Sequence, residues 1–290
     1  MQETNADGEL EMDMSRRVVL GVCAIGVGTL LLSGCDGFRV NSSNFSDTTD
    51  LTQKVAAVRI DNGSGSVRIR TGATSSVKRT VYYRGDNKPG QTHRLEGDTL
   101  VLNDCDQNNC SVDYEVTLTA AAKVMGENRS GEVEVASMSE VGVRTGSGDV
   151  RVRDIPGPVT VNVRSGRAEL INVGQSAVVE AGSGDVVVTG VKGDVTIKAR
   201  SGATDATGVE GKASIDSSSG DVRLDMVTAQ SAKVTAQSGA INVLVPRGQA
   251  YKTNVSTSSG EKTVNVDTSQ DSKYVLDLEA RSGDVTVDYR

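Results

Sequence analysis

The dipeptide Ser-Gly recurs through the second half of the chain with a regularity that restricts the possible folds severely. Ser147-Gly148, Ser165-Gly166, Ser183-Gly184, Ser201-Gly202 and Ser219-Gly220 follow one another at steps of 18 residues. Ser130-Gly131, Ser238-Gly239, Ser259-Gly260 and Ser282-Gly283 flank them at steps of 17, 19, 21 and 23. A fixed period near 20 is the signature of a solenoid or array. Apolar residues keep the same step. Ile155, Val173, Val191, Val209 and Val227 form one column. Val161, Val179, Ile197, Ile215 and Val234 form a second, and Val152, Leu170, Val188, Ala206, Leu224 and Val243 a third. Within a unit, apolar and polar residues alternate, as in Val159-Thr160-Val161-Asn162-Val163, which turns one face inward.

Each unit reads as strand, Ser-Gly corner, strand and Gly-containing turn. One unit cannot close its own core, whereas stacked windings bury it against each other. The expected fold class is all-β: a parallel β-solenoid (β-helix-like) with about 18 residues per coil, preceded by a short strand-rich capping region. Aromatic residues make up only 3% of the chain and Trp is absent, so small side chains must fill a narrow interior. The corner glycines Gly148, Gly166, Gly184, Gly202, Gly220 and Gly239 permit the positive φ of a sharp bend. Asp follows the corner at Asp149, Asp185 and Asp221, and Arg167, Ala203 and Ala240 stand at the intervening corners. On an 18-residue coil these aspartates lie about 9.6 Å apart, too far to share a calcium ion. A 36-residue coil would stack them directly. The shorter coil, without metal, is the reading adopted. The outward column Asn162, Glu180, Lys198, Asp216 alternates in sign between neighbours and reads as a solvated face that helps set register.

The N-terminus carries an export pattern. Arg16 and Arg17 precede an apolar run over residues 18–32, shorter than the ~20 residues a spanning helix needs. Leu32-Ser33-Gly34-Cys35 resembles the lipobox of bacterial lipoproteins. That resemblance implies that Cys35 receives a diacylglyceryl group and becomes the first mature residue; the alternative is an uncleaved anchor with an incidental Cys. Residues 15–20 also resemble a twin-arginine signal, and general secretion fits as well. The acidic stretch before Met14 suits a signal peptide poorly, so translation is expected to start at Met12 or Met14. The chain then divides into a signal peptide (1–34), a flexible tether (35–53), an N-terminal β region (54–123) and the solenoid with its C-terminal cap (124–290). The tether reading rests on Ser-, Asn-, Asp- and Thr-rich composition.

Cys105 and Cys110, in an exported segment between strand-like residues, read as a disulfide across a hairpin loop, worth roughly 2 kcal/mol. A metal site there would need about four ligands, and His93 is the single histidine in the chain. Tyr82, Tyr83 and Tyr114 mark the N-terminal cap, and the segment from Tyr274 to Tyr289 reads as the opposite cap. The chain has a formal charge of −7, or −4 without residues 1–34. This argues against a nucleic-acid role that needs a basic surface.

The Ser-Gly-Asp-Val pattern after a lipoprotein signal resembles the bacterial "putative adhesin" lipoprotein family, actinobacterial type, a domain related to the head GIN domain. The resemblance runs from Val55 to Arg290. Its carriers are Asn62-Gly63-Ser64-Gly65-Ser66-Val67, Gly97-Asp98-Thr99-Leu100, the corners at Ser147, Ser183 and Ser282, and Cys110-Ser111-Val112-Asp113-Tyr114. It implies an extracytoplasmic location and brings no catalytic motif. The chain has neither a Gly-x-Ser-x-Gly elbow nor a phosphate-binding loop. His93 lies in a polar stretch and reads as a loop residue. The expected function is therefore a non-catalytic envelope lipoprotein, adhesin-like or structural, without cofactor, metal or nucleic acid. It would be held to the membrane through Cys35 and would contact a wall polymer, surface polymer or protein. Two alternatives stand beside it. A polysaccharide-active β-helix enzyme would need a groove with clustered acids, Arg or Lys, and usually aromatics to stack sugars, and residues 133–244 contain no aromatic. An accessory role in envelope stress signalling is the other.

Overall fold

A computed structural model describes residues 42–290. The lipobox, Cys35 and the signal peptide lie outside the described residues. Strands from alternate halves of each winding build two long sheets, one of thirteen strands and one of twelve. Neighbouring windings pair in parallel and in register: Val141 with Val159, Val159 with Ala177, Ala177 with Val195, Val195 with Ala213. One coil is therefore 18 residues. The file Ile155, Val173, Val191, Val209 is vertical and fully buried.

The column does not continue to Val227 as the period projects, because Met226 takes the place opposite Val209. In five coils a residue in left-handed conformation precedes the last buried position: Ser137, Asp154, Asn172, Gly190 and Gly208, with φ of 57°, 57°, 58°, 70° and 71°. Val222–Met226 lacks that extra residue, so its final apolar side chain arrives one position early.

At the corners successive backbones run close together. A Cβ on Gly184, whose φ is +121°, would stand 2.1 Å from the Gly166 carbonyl oxygen. Glycine is thus demanded twice, by conformation and by space. The aspartates that follow the corner glycine have a structural task. Asp149 Oδ1 accepts the backbone N–H of Arg167 (2.9 Å), Asp185 that of Ala203 (3.0 Å) and Asp221 that of Ala240 (2.8 Å). Each carboxylate closes the ladder of the next coil at a residue that is not acidic. These three aspartates stay two coils apart, about 9.6 Å by strand spacing.

Both ends depart from sequence order. The coil formed by Val275–Ser282 and Val285–Tyr289 is inserted between Ala232–Ser238/Ile241–Val245 and the outermost Lys252–Ser259/Lys262–Val264. The expected cap at Tyr274 to Tyr289 is accordingly corrected: Leu276, Leu278, Val285 and Val287 are fully buried core, and the closing coil is the more polar one around Lys252–Val264. At the other end Ala57–Asn62/Val67–Thr71 lies between Thr99–Asn103/Cys110–Leu118 and Lys123–Ser130/Val133–Ala136. The aspartate pattern follows space rather than sequence there, since Asp113 caps Ser66 N (2.7 Å) and Asp284 caps Glu261 N (2.8 Å).

Cys105 and Cys110 are bonded, with Cα atoms 6.0 Å apart. They do not bridge a hairpin, because Thr99–Asn103 belongs to the twelve-stranded sheet and Cys110–Leu118 to the thirteen-stranded one. The bond staples a corner where the chain crosses between sheets, in place of a Ser-Gly corner. Inside the adjoining corners buried Asn62 donates to Asn128 Oδ1 (3.0 Å), and Asn128 donates to the carbonyls of Gly65 and Gly131.

The tether reading is corrected over much of its length, because Ser42–Asp50 is a strand. It pairs antiparallel with Ser76–Arg84, which pairs in turn with Cys110–Leu118. Its composition is polar because it adds a backbone edge rather than a core face. Arg79, almost fully buried, grips Asp47 with two bonds of 2.7 and 2.8 Å, and Phe45 lies edge-on to Tyr83. The Arg79 guanidinium holds the Asp47 carboxyl below its usual range. Arg79 also donates to Thr92 Oγ1 (3.1 Å). The hydroxyl of buried Tyr114 lies 2.6 Å from Thr92 Oγ1 and 2.6 Å from the Asn103 carbonyl, and burial raises its pKa. His93 is not a loop residue but the first of the strand His93–Glu96, buried beside this cluster with neither ring nitrogen hydrogen-bonded. Burial, and then the Arg79 charge, lower its pKa.

Two outcomes follow for unfolding measured on the full-length chain. Gly184→Ala lowers stability by about 3 kcal/mol or more, through strain and the collision with Gly166, whereas Asp185→Ala costs about 1 kcal/mol, the value of one hydrogen bond. Equal effects would contradict the corner analysis. For His93 the folded pKa lies below the unfolded value of about 6.5, so the unfolded chain binds the proton more readily. Stability is then full above that pH and falls as the pH drops below it. His93→Leu flattens the profile between pH 7 and 5, as read by denaturant midpoints.

Candidate binding face

The core, the corner caps and the ends leave the outward side chains of the two sheets. On the thirteen-stranded sheet, three arginines are paired across coils. Arg151 pairs with Glu132 and with Glu169 (3.4 Å), Arg68 with Glu132 (3.3 Å) and Glu134 (3.7 Å), and Arg153 with Glu134. Such exposed pairs are individually worth ~0–1 kcal/mol. Arg70 and Arg223 on the same sheet are exposed and stand outside these pairs.

The twelve-stranded sheet has such pairs too, Arg59 with Glu96 (2.9 Å), Lys123 with Glu140 (2.8 Å) and Lys233 with Asp277 (4.0 Å), but one file beside its corners has none. The position before each corner serine reads, along the stack, Gly63, Arg129, Gly146, Arg164, Gly182, Arg200, Ser218, Gln237, Arg281, Ser258, with the flanking residues in register. Glycine has a backbone reason: a Cβ on Gly182 would meet the Arg164 carbonyl at 2.4 Å, and one on Gly146 the Arg129 carbonyl at 2.6 Å. The backbone gives no such reason for arginine on the alternate coils. Arg129, Arg164 and Arg200 are exposed, and among the described residues none has a carboxylate within ion-pair distance or a side-chain hydrogen bond. Gly182 lies between Arg164 and Arg200 and opens a shallow cleft of about 440 Å³. Glu180, Lys198 and Asp216 complete its lining, with Asn162 at one end.

The column Asn162, Glu180, Lys198, Asp216 is in register as expected. Its contacts are not the expected ion pairs. Asn162 Nδ2 donates to Glu180 Oε2 (2.8 Å), Thr235 donates to Asp216 (3.1 Å), and Lys198 has no carboxylate within ion-pair distance among the described residues. Beside the arginines the corner serines form an exposed file. Ser165 pairs with Ser183, Ser183 with Ser201, Ser201 with Ser219 and Ser219 with Ser238, one hydroxyl per coil.

The residues singled out in the sequence therefore fall into separate places. Gly148, Gly166, Gly184, Gly202, Gly220 and Gly239 form one corner file and all have positive φ. Asp149, Asp185 and Asp221 beside them act as backbone caps. Cys105 and Cys110 form a corner staple, and His93 sits in an edge strand five strands from Val159–Ser165. No group of three or more His, Cys, Asp or Glu among the described residues is arranged to hold a metal ion. The arginine file was not picked out by sequence reasoning. Its signal was present as Arg129, Arg164 and Arg200 with glycines between them, at twice the coil period. What the arrangement offers chemically is a row of guanidinium donors and hydroxyls without an adjacent nucleophile–base pair, which suits binding along a line.

Comparison with solved structures finds bacterial proteins of low sequence identity. The chain is similar to a "putative adhesin" from Bacteroides fragilis NCTC 9343 (10% identity, 86% of this chain and 97% of that one, TM-score 0.43). It is also similar to a "putative adhesin" (14%, 87% and 98%, 0.39) and a "putative lipid binding protein" (11%, 87% and 98%, 0.40), both from Parabacteroides distasonis ATCC 8503. Nothing among curated proteins matches the chain. The model of the Toastrack DUF4097 family matches residues 55–289, spanning every coil of the solenoid, and the chain belongs to that family.

Proposed function

We propose that this chain is a non-catalytic, adhesin-like binding module of the bacterial cell envelope, carried at the extracytoplasmic face by a lipid on Cys35. The observation that carries the binding role is one file on the twelve-stranded sheet, where exposed Arg129, Arg164 and Arg200 stand without a carboxylate partner among the described residues and a serine repeats beside them at every coil. Surfaces that only need solvation gain nothing from arginines held apart by glycines. A linear array instead matches a linear partner, as the extended surfaces of solenoids commonly do.

The anchoring rests on the basic flank, the short apolar run and Leu32-Ser33-Gly34-Cys35. Two or more acyl chains hold a protein to a bilayer stably where one does not. The disulfide at Cys105–Cys110 agrees with an exported destination, since such bonds persist in oxidising compartments.

The test has two parts. Cells expressing the full-length chain and fed an alkyne fatty acid incorporate label into the wild type, and Cys35→Ala loses both the label and membrane fractionation. Full-length protein in detergent micelles retains isolated wall polymer saturably and leaves its chain length unchanged. Release of shortened glycan, abolished by substituting one acid, would replace this reading with the enzymatic one.

A further inference from the structure

Resting on the binding-module reading, we propose that the cleft between Arg164 and Arg200 and the serine file beside it form a binding track for an extended anionic glycan. The track runs along the stacking axis, and the glycan carries one carboxylate per disaccharide. Three observations define the occupant. Charge comes first: Arg164 and Arg200 face the cleft without a protein carboxylate partner, and Lys198 adds a third cation. On a chain of net charge −7 this is a local exception, not part of a generally basic surface. Spacing comes second. Arg164 and Arg200 are two coils apart, so their backbones lie about 9.6 Å from each other, a step comparable with one extended β-linked disaccharide. Arg129 continues the file on the other side of Gly146. In B-DNA, by contrast, a charge recurs every ~3.4 Å along each strand.

The third observation is the chemistry between the charges. Ser165, Ser183 and Ser201 supply a hydroxyl at every coil, able both to donate to and to accept from sugar hydroxyls. Single-stranded nucleic acid is held by aromatic stacking, and residues 133–244 contain no aromatic side chain. Guanidinium–carboxylate contacts can be bidentate, so they fix position along the polymer as well as attract it. Glu180 and Asp216 at the cleft margin would repel a polymer charged on every sugar, which favours one charge per two sugars.

The experiment measures binding of the full-length chain in detergent to hyaluronan oligosaccharides, which carry one carboxylate per disaccharide. Carboxyl-reduced hyaluronan, poly(glycerol phosphate), polyglutamate and single-stranded DNA serve as comparison ligands. Saturable hyaluronan binding that weakens with added salt is expected, with the reduced polymer, polyglutamate and DNA at least about tenfold weaker. The double variant Arg164→Gln/Arg200→Gln loses about tenfold or more, while Arg151→Gln/Arg153→Gln on the opposite sheet, with the same change in net charge, binds like the wild type. The unfolding midpoint of each variant confirms that it is folded. Equal loss in both double variants, or equal binding of the neutral polymer, polyglutamate or DNA, overturns the track. Tighter binding of poly(glycerol phosphate) than of hyaluronan overturns the carboxylate assignment. Saturable capture of a wall polymer that ignores Arg164 and Arg200 overturns the track yet leaves the binding-module reading standing, so the two can fail separately.

Discussion

The stacking of glycine over glycine at each corner governs the rest. The chain turns from one sheet to the other where Gly148, Gly166, Gly184, Gly202 and Gly220 stack, each leaving no room for a Cβ against the carbonyl of the previous coil. That contact fixes the height of a winding, and with it the in-register pairing that sends every second residue inward. A narrow interior follows, which is why valine, alanine and isoleucine suffice for a core that would otherwise need aromatics.

Tight stacking creates an electrostatic problem and the structure answers it by alternation. Identical coils would place identical charges about 4.8 Å apart, as close as neighbouring strands allow. Asp149, Asp185 and Asp221 avoid this by occupying every second corner and turning toward an unpaired N–H of the next coil. The arginines of the twelve-stranded sheet obey the same rule with glycine between them. The effective chemical unit of the surface is thus two coils, although the geometric unit is one.

The central coils were legible in the sequence because every one of their constraints is local and periodic. The columns of Val173, Val191 and Val209, the corner glycines and the 18-residue coil could all be read from spacing. The errors arose where local rules meet a non-local choice. Val227 gave way to Met226 because the left-handed residue before the last buried position is missing, a detail invisible to a fixed period. Residues 42–50 lack apolar content, yet backbone pairing and the Asp47–Arg79 contact make them a strand. Ser259-Gly260 and Ser282-Gly283 gave the right corners in the wrong spatial order, since a spacing of 21 or 23 does not state which coil is inserted. The arginine file was overlooked because it appears only at twice the period and competes with glycines that have a backbone explanation.

The inserted coil at the C-terminal end has a consequence for how the molecule is assembled. Its slot is bounded on one side by a winding made earlier and on the other by one made immediately before it. Zippering from the first winding toward the last can therefore proceed only as far as Ile241–Val245. Residues 251–266 then have no seat until the final stretch of polypeptide has emerged and slipped beneath them. A chain cut before Tyr274 would keep its polar lid yet lose the floor beneath it, leaving the interior at Ile241–Val245 uncovered.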